Sequence, residues 1–310
     1  MTTPGLSPFL TLLYGGLRLL GRLSLPTLHR LGSACGSLIW LLDGRLRRVT
    51  ERNLSLLLTQ DGAETRQAIA RAVLRETGKS MTEVAIVWAG SPQRALSLVR
   101  EVRGLEHLEA ARAAGRGLII AAPHLGCWEL LNYWLAERMP LSIAYRQPQR
   151  PYFEPLLLKA RGALQVEQVR AEGAGVRALY RRLNAGGVVG ILPDQRPKRG
   201  EGEFAPFFGI PAMTMVLLPR LARHTGAPVL FAFAERLREG AGFRIHLLPA
   251  PDGIADADLG VACAALNGGV EACVRIAFTQ YQWTYKRYSI QPDGRPNPYA
   301  AATATDGDED

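Results

Sequence analysis

The chain lacks an uninterrupted apolar run of about 20 residues, the length a bilayer-spanning helix needs. Leu6 to Leu17 ends at Arg18, and Leu31 to Leu42 is charge-free for only 12 residues. Cysteine is scarce: Cys35, Cys127, Cys263 and Cys273 form no C-x-x-C pair and no zinc spacing. With five scattered histidines, no metal site is expected, and isolated thiols suit a reducing compartment. The G-x-S-x-G nucleophile elbow is absent, which argues against a serine hydrolase. No helix-turn-helix, RNP motif, zinc finger or lysine-rich arm is visible, so nucleic acid is not an expected partner.

What the chain does have is length, apolar content and positive charge. Its 310 residues are 47% hydrophobic, enough for one sizeable core or two modest ones. The net charge is +9, and the last ten residues contribute −4 through Asp306, Asp308, Glu309 and Asp310, so residues 1–300 carry +13. A basic body of this kind points to an anionic partner: acidic phospholipid, a phosphorylated glycolipid or an acidic carrier protein. Near the start, Leu10, Leu13, Leu17 and Leu20 recur at helical spacing, with Arg18 and Arg22 one turn apart. This pattern reads as a helix in the membrane interface with arginines toward headgroups. An amphipathic helix packed on the protein's own core and a single tilted anchor are the alternatives. The expected organisation is a helical membrane-associated region at 1–44, a main domain at 45–295 and a disordered acidic tail at 296–310.

Helices are expected at 46–58, 64–88 and 91–99. From Leu118 the pattern alternates: strands at 118–122, 141–145, 166–169, 188–192, 228–234 and 243–248, and helices at 129–138, 152–161, 175–184, 213–225 and 258–278. Alternation of this kind implies an α/β fold, a largely parallel mixed sheet covered by helices. Ligands in such folds sit beyond the carboxyl ends of the strands. His124, Arg146 and Asp194 each directly follow an expected strand.

Ala121 to Glu129, AAPHLGCWE, is the most informative stretch. An imidazole titrating near pH 6.5 can take a proton from an alcohol, and a carboxylate can hold its tautomer and stabilise the imidazolium. Five positions along a helix rotate a side chain by about 500°, so His124 and Glu129 diverge by about 140° if both are helical. His124 is therefore expected in the strand-to-helix loop, with Gly126 making the tight turn. Glu129 then falls in the first helical turn, at the positive end of the helix dipole.

This block resembles the active-site segment of the bacterial lipid A late acyltransferases, the lauroyl/myristoyl transferase family. Three further blocks are similar and follow in order. They are Tyr145-Arg146-Gln147-Pro148 with Arg161; Leu192-Pro193-Asp194-Gln195 followed by Phe207-Phe208-Gly209-Ile210-Pro211 and Thr214; and Gln280 to Tyr288. Cys127, Gln147, Thr284 and Tyr285 depart from the family pattern. The resemblance implies a glycerolipid-acyltransferase-like fold, an acyl carrier protein thioester as donor, a lipid A precursor as acceptor, and no cofactor. It places the chain on the cytoplasmic face of the inner membrane.

In that reading His124 is the general base and Glu129 orients it. Arg146 and Arg161 grip an anion, since a guanidinium can hold phosphate in bidentate fashion. Asp194, with Gln195, orients an arginine or the acceptor sugar, or forms a structural ion pair. Oxyanion donors come from backbone N–H groups near Gly126 or from a basic side chain. Phe207-Phe208-Gly209 makes a turn beside an acyl groove or packs in the core, and Thr214 caps a helix. Gln280 to Tyr288 docks at the interface or forms a packed C-terminal element. The alternatives are a coenzyme-A-dependent acyltransferase on another glycolipid such as phosphatidylinositol mannoside, a non-catalytic lipid-binding membrane protein, and nucleophilic chemistry at Cys127.

Overall fold

The computed structural model describes residues 7–42, 44–145, 151–161, 166–198 and 200–300. Four helices come first: α1 (Pro8–Leu20), α2 (Leu25–Leu41), α3 (Arg45–Leu57) and α4 (Ala63–Ala89). Ser7 and Ser24 cap the first two, each accepting a backbone N–H in the first turn, and a proline follows where its missing N–H costs nothing. Helix α2 lies directly on α4 because glycines meet there. A Cβ on Gly78 would stand 1.9 Å from the Gly32 carbonyl oxygen. The N-terminal helices are thus packed on α4 and not held apart from the body.

After α5 (Pro92–Leu96) come β1 (Val99–Arg103), α6 (Leu105–Ala113), β2 (Leu118–Ala121), α7 (Trp128–Arg138) and β3 (Leu141–Tyr145). Then follow α8 (Glu154–Arg161), β4 (Glu167–Arg170), α9 (Ala174–Asn184), β5 (Val188–Ile191), β6 (Gly202–Phe207) and β7 (Ile210–Met215). The chain continues through α10 (Leu217–Thr225), β8 (Val229–Arg236), β9 (Phe243–Pro249) and α11 (Leu259–Ile276). Seven strands form one sheet in the order β1-β9-β8-β2-β5-β3-β4, parallel except for the β8–β9 pair. The central β2 and β5 are buried at every position, as a sheet covered on both faces requires. The expected α/β class and largely parallel sheet are present.

Three local expectations change. The helix expected over 213–225 begins only at Leu217, and the residues before it belong to a separate β6–β7 hairpin. Proline at 206 and 211 disguised those strands, since proline is confined to edges. Their two-residue turn is Phe208-Gly209, with φ of 50° and 76°, the signature of a type I′ hairpin. Thr214 is consequently a buried strand residue, not a helix cap. Val99 does not end a helix but opens β1, which pairs with β9. Lastly, of the tail expected from residue 296, Tyr299 is packed against the body, and residues 301–310 lie outside the described residues. Tyr299 is fully buried, donates to the Asn53 side chain at 2.5 Å, and accepts the Tyr288 N–H at 3.2 Å.

Among the described residues one helix, α11, is long and apolar enough to cross a membrane by length and composition. It is a core helix, burying Cys263, Leu266, Val270 and Val274. Helices α1 and α2, of 13 and 17 residues, instead leave large apolar side chains facing outward: Leu12 is 78% exposed and Leu41 75%.

Candidate active site

The register of the sheet builds the site. Strands β2 and β5 pair in parallel with Ala121 opposite Ile191. His124 lies three residues beyond the first and Asp194 three beyond the second, so the two loops leave the sheet side by side. The Asp194 carboxylate accepts from His124 Nδ1 at 2.8 Å with one oxygen and from the His124 backbone N–H at 2.9 Å with the other. Asp194 is 3% exposed. Burial acts to raise its carboxyl, but the charge and hydrogen bonds of His124 outweigh that and hold it below its ordinary value. An ionised carboxylate can only accept, so Nδ1 carries a hydrogen, and in the neutral ring Nε2 presents its lone pair. That lone pair accepts from the Gln195 side-chain amide at 3.3 Å, whose nitrogen also donates to Gln282 Oε1 at 3.2 Å.

The sequence expectation gave the orienting role to Glu129 and left Asp194 for an arginine, a sugar or an ion pair. In the structure the carboxylate on Nδ1 is Asp194. Glu129 sits as expected in the first turn of α7, buried, and lines the same groove as His124. The Trp128 ring meets the imidazole edge-on, with centroids 5.3 Å apart. Arg146 and Gln147 lie outside the described residues. Arg161 ends α8, and its side chain lies outside them too.

Gly126 makes the expected tight turn with φ of 61°, and a Cβ there would stand 2.0 Å from the Ala234 carbonyl oxygen. The backbone N–H groups around it are already engaged. Leu125 donates to Pro123, Gly126 to Gln280 and Cys127 to Ala234, at 2.7, 3.3 and 2.8 Å. These three amides are therefore not free to form an oxyanion hole. Arg220 lines the adjoining cavity.

Sequence reasoning missed the support beneath this loop. Arg236, at the end of β8 and 4% exposed, donates to both carboxylate oxygens of Glu83 at 2.8 and 2.6 Å, and to the Gly126 carbonyl at 2.8 Å. His29 of α2 contacts the same carboxylate at 3.2 Å. Burial opposes ionisation of Glu83, but the Arg236 charge and the hydrogen bonds from His29 and Arg236 bring it down to about 2. The available signal was a lone glutamate immediately before the apolar stretch Val84-Ala85-Ile86-Val87-Trp88. Cys127 lies beside this cluster. Burial, then the Glu83 charge, pushes its thiol well above the ordinary range, so it is a poor nucleophile near neutral pH.

The closing segment is a packed element rather than an interface. Trp283 and Tyr288 are buried, and Arg287 donates to the Met213 carbonyl at 2.5 Å and to Thr214 Oγ1 at 3.0 Å. Its first residues lace the catalytic loop in place: Gln282 N–H donates to the His124 carbonyl at 3.1 Å, and Gln280 pairs with the Arg236 backbone through both ends of its amide.

Two hollows meet at His124. The larger, about 530 Å³, is lined mainly by apolar side chains such as Ile143, Leu157, Val176 and Leu217. The smaller, about 250 Å³, lies between α4 and the start of α7. Phe207 and Phe208 line neither hollow; Phe207 is buried in the core. Among the described residues no three or more His, Cys, Asp or Glu side chains gather as metal ligands.

An imidazole held by a buried carboxylate beside an apolar cavity is suited to acyl transfer to an alcohol. Residues 6–289 match the family model described as bacterial lipid A biosynthesis acyltransferase. The chain belongs to that family. It is similar to the lipid A biosynthesis lauroyltransferase of Escherichia coli K12, 26% identical over 286 residues, covering 92% of each chain. The lipid A biosynthesis palmitoleoyltransferase of the same organism is also 26% identical, covering 90% of each. A phosphatidylinositol mannoside acyltransferase of Mycobacterium tuberculosis is 29% identical over 201 residues, covering 63% of each. As a family member the chain is an O-acyltransferase, and the fold brings residues of the resembling blocks together, among them His124 with Asp194 and Gln195, and Gln195 with Gln282.

Proposed function

We propose that this acyltransferase moves a fatty acyl chain from the thioester of acyl carrier protein to a hydroxyl of a lipid A precursor. That reaction is the secondary acylation step of lipopolysaccharide biosynthesis. The observation that carries the reading is the His124–Asp194 pair at the mouth of an apolar cavity, in a chain similar to two lipid A acyltransferases over nine-tenths of its length.

The acceptor hydroxyl displaces the Gln195 amide from Nε2. His124 takes its proton as the oxygen attacks the thioester carbonyl carbon. Asp194 stays ionised and stabilises the imidazolium, a term worth about 10²–10⁴-fold in rate. The tetrahedral intermediate collapses with cleavage of the C–S bond, and the imidazolium returns the proton to the leaving thiolate. Glu129, in the first turn of α7, lines the same groove as His124 and takes a supporting role there. Arg146 and Arg161 grip a phosphate of the acceptor. The donor's acyl chain lies in the 530 Å³ cavity, where apolar burial contributes about 0.8 kcal/mol per methylene.

The outward leucines of α1 and α2, flanked by Arg18 and Arg22, support docking on the cytoplasmic face of the inner membrane. A basic body suits both an acidic carrier protein and a phosphorylated sugar. Similarity to the mannoside acyltransferase keeps a coenzyme-A donor as the second reading. Mass spectrometry of lipid A from cells with and without this protein tests the proposal. A gain of one secondary acyl chain supports it, and an unchanged lipid A profile overturns it. Turnover with acyl carrier protein but not acyl-coenzyme A separates the two donors.

A further inference from the structure

We propose that the acceptor's hydroxyl-bearing alkyl chain enters through the smaller groove between α4 and α7, while the donor chain occupies the larger cavity. The inference rests on the acyltransfer reading above. Thr77, Met81, Val84 and Trp88 fall on one stripe of α4, at i, i+4, i+7 and i+11, and face Trp128 and Glu129 across the groove. His124 is the one residue that lines both hollows. A reaction joining two lipid-like reactants at one imidazole needs each chain to reach it from a different direction. A doubly served histidine provides that.

The two hollows also differ in where they lead. The larger runs between the strand ends of β3 and β5 and helices α8, α9 and α10. The smaller opens along α4, the helix on which α1 and α2 pack. Those helices carry the outward leucines, so the α4 wall of the groove adjoins the surface that the proposed docking uses. Met81 stands 60% exposed at the rim, a large apolar side chain that an alkyl chain would cover. Deeper in, the Gln280 and Gln282 side chains and Glu129 offer polar contacts for the hydroxyl as it nears Nε2.

Steady-state kinetics with the full chain, acyl carrier protein thioester and a lipid A precursor in detergent micelles test the assignment. Val84→Phe and Met81→Trp narrow the groove, and Val176→Phe and Leu217→Trp narrow the cavity. Met81 is exposed enough for its replacement to fold. The groove variants are expected to raise the acceptor KM about tenfold or more, with the donor KM within about twofold. The cavity variants are expected to do the reverse. Groove variants that raise the donor KM, or that move neither constant, overturn the assignment while normal wild-type turnover leaves the reaction itself standing. Absence of wild-type transfer overturns both.

Discussion

Asp194 holds His124 twice, once at the ring Nδ1 and once at the backbone N–H, at 2.8 and 2.9 Å. One carboxylate therefore sets both the tautomer of the base and the position of the loop that carries it. The Asp194→Asn variant keeps the shape but can present its NH₂ to Nδ1, which would turn the lone pair away from the acceptor. The expected outcome is a fall in kcat of about 10²–10⁴-fold with little change in KM, read by steady-state kinetics. A fall below threefold would leave the orienting role to another residue.

The Glu83–Arg236 pair under the loop gives a stability expectation. Glu83→Gln leaves the buried guanidinium with only the longer ion pair to Glu76, at 3.4 Å, and is expected to cost up to about 3–5 kcal/mol in denaturant unfolding. The Glu83→Gln/Arg236→Met double variant is expected to recover part of that loss.

The same carboxylate gives a pH dependence. Its folded pKa is depressed, from 4.5 to about 2, so the unfolded chain binds the proton first as pH falls. The contribution, about 3 kcal/mol, is complete above pH 4.5 and is lost as pH drops through 2. In Glu83→Gln this part of the acid-side slope should disappear.

The elements around the site were readable because the central strands are short apolar runs between helices with clear periodicity. Leu118–Ala121, Leu141–Tyr145 and Val188–Ile191 all lie within a residue of expectation. The partnership of His124 with Asp194 was not readable. It depends on β2 pairing with β5, two strands separated by β3 and β4 in sequence, and local periodicity carries no information on strand order. Glu129 was the nearer carboxylate in sequence, whereas the one on Nδ1 is brought there by strand pairing. The β6–β7 hairpin was hidden by its prolines, and Arg236 by the lack of any motif around a single buried ion pair.

Thiol chemistry separates base catalysis from a covalent route. Cys35 is exposed, whereas Cys127, Cys263 and Cys273 are buried with their thiols pushed up by burial. An alkylating reagent should modify the native protein chiefly at Cys35, as peptide mass spectrometry would show. Cys127→Ala should retain at least about half of wild-type kcat, since its thiol is buried and held protonated near neutral pH. Trapping of an acyl-Cys127 species would reverse this view.

Gly126→Ala tests the loop itself. The left-handed φ costs an alanine about 1–2 kcal/mol, and its Cβ would collide with the Ala234 carbonyl. The loop must shift, and a displacement of about 1 Å at the base can cost about 100-fold in rate. Circular dichroism should show a folded chain with a lowered Tm, and kcat should fall further than that loss of stability explains.

Single-turnover transfer by the purified His124→Ala variant, beside wild type, addresses the base most directly. Radiolabelled acyl-carrier-protein thioester and a lipid A precursor would be followed by thin-layer chromatography, with folding verified by circular dichroism. The account expects no acylated product above background from a fully folded variant. Product formation at the wild-type rate would contradict it.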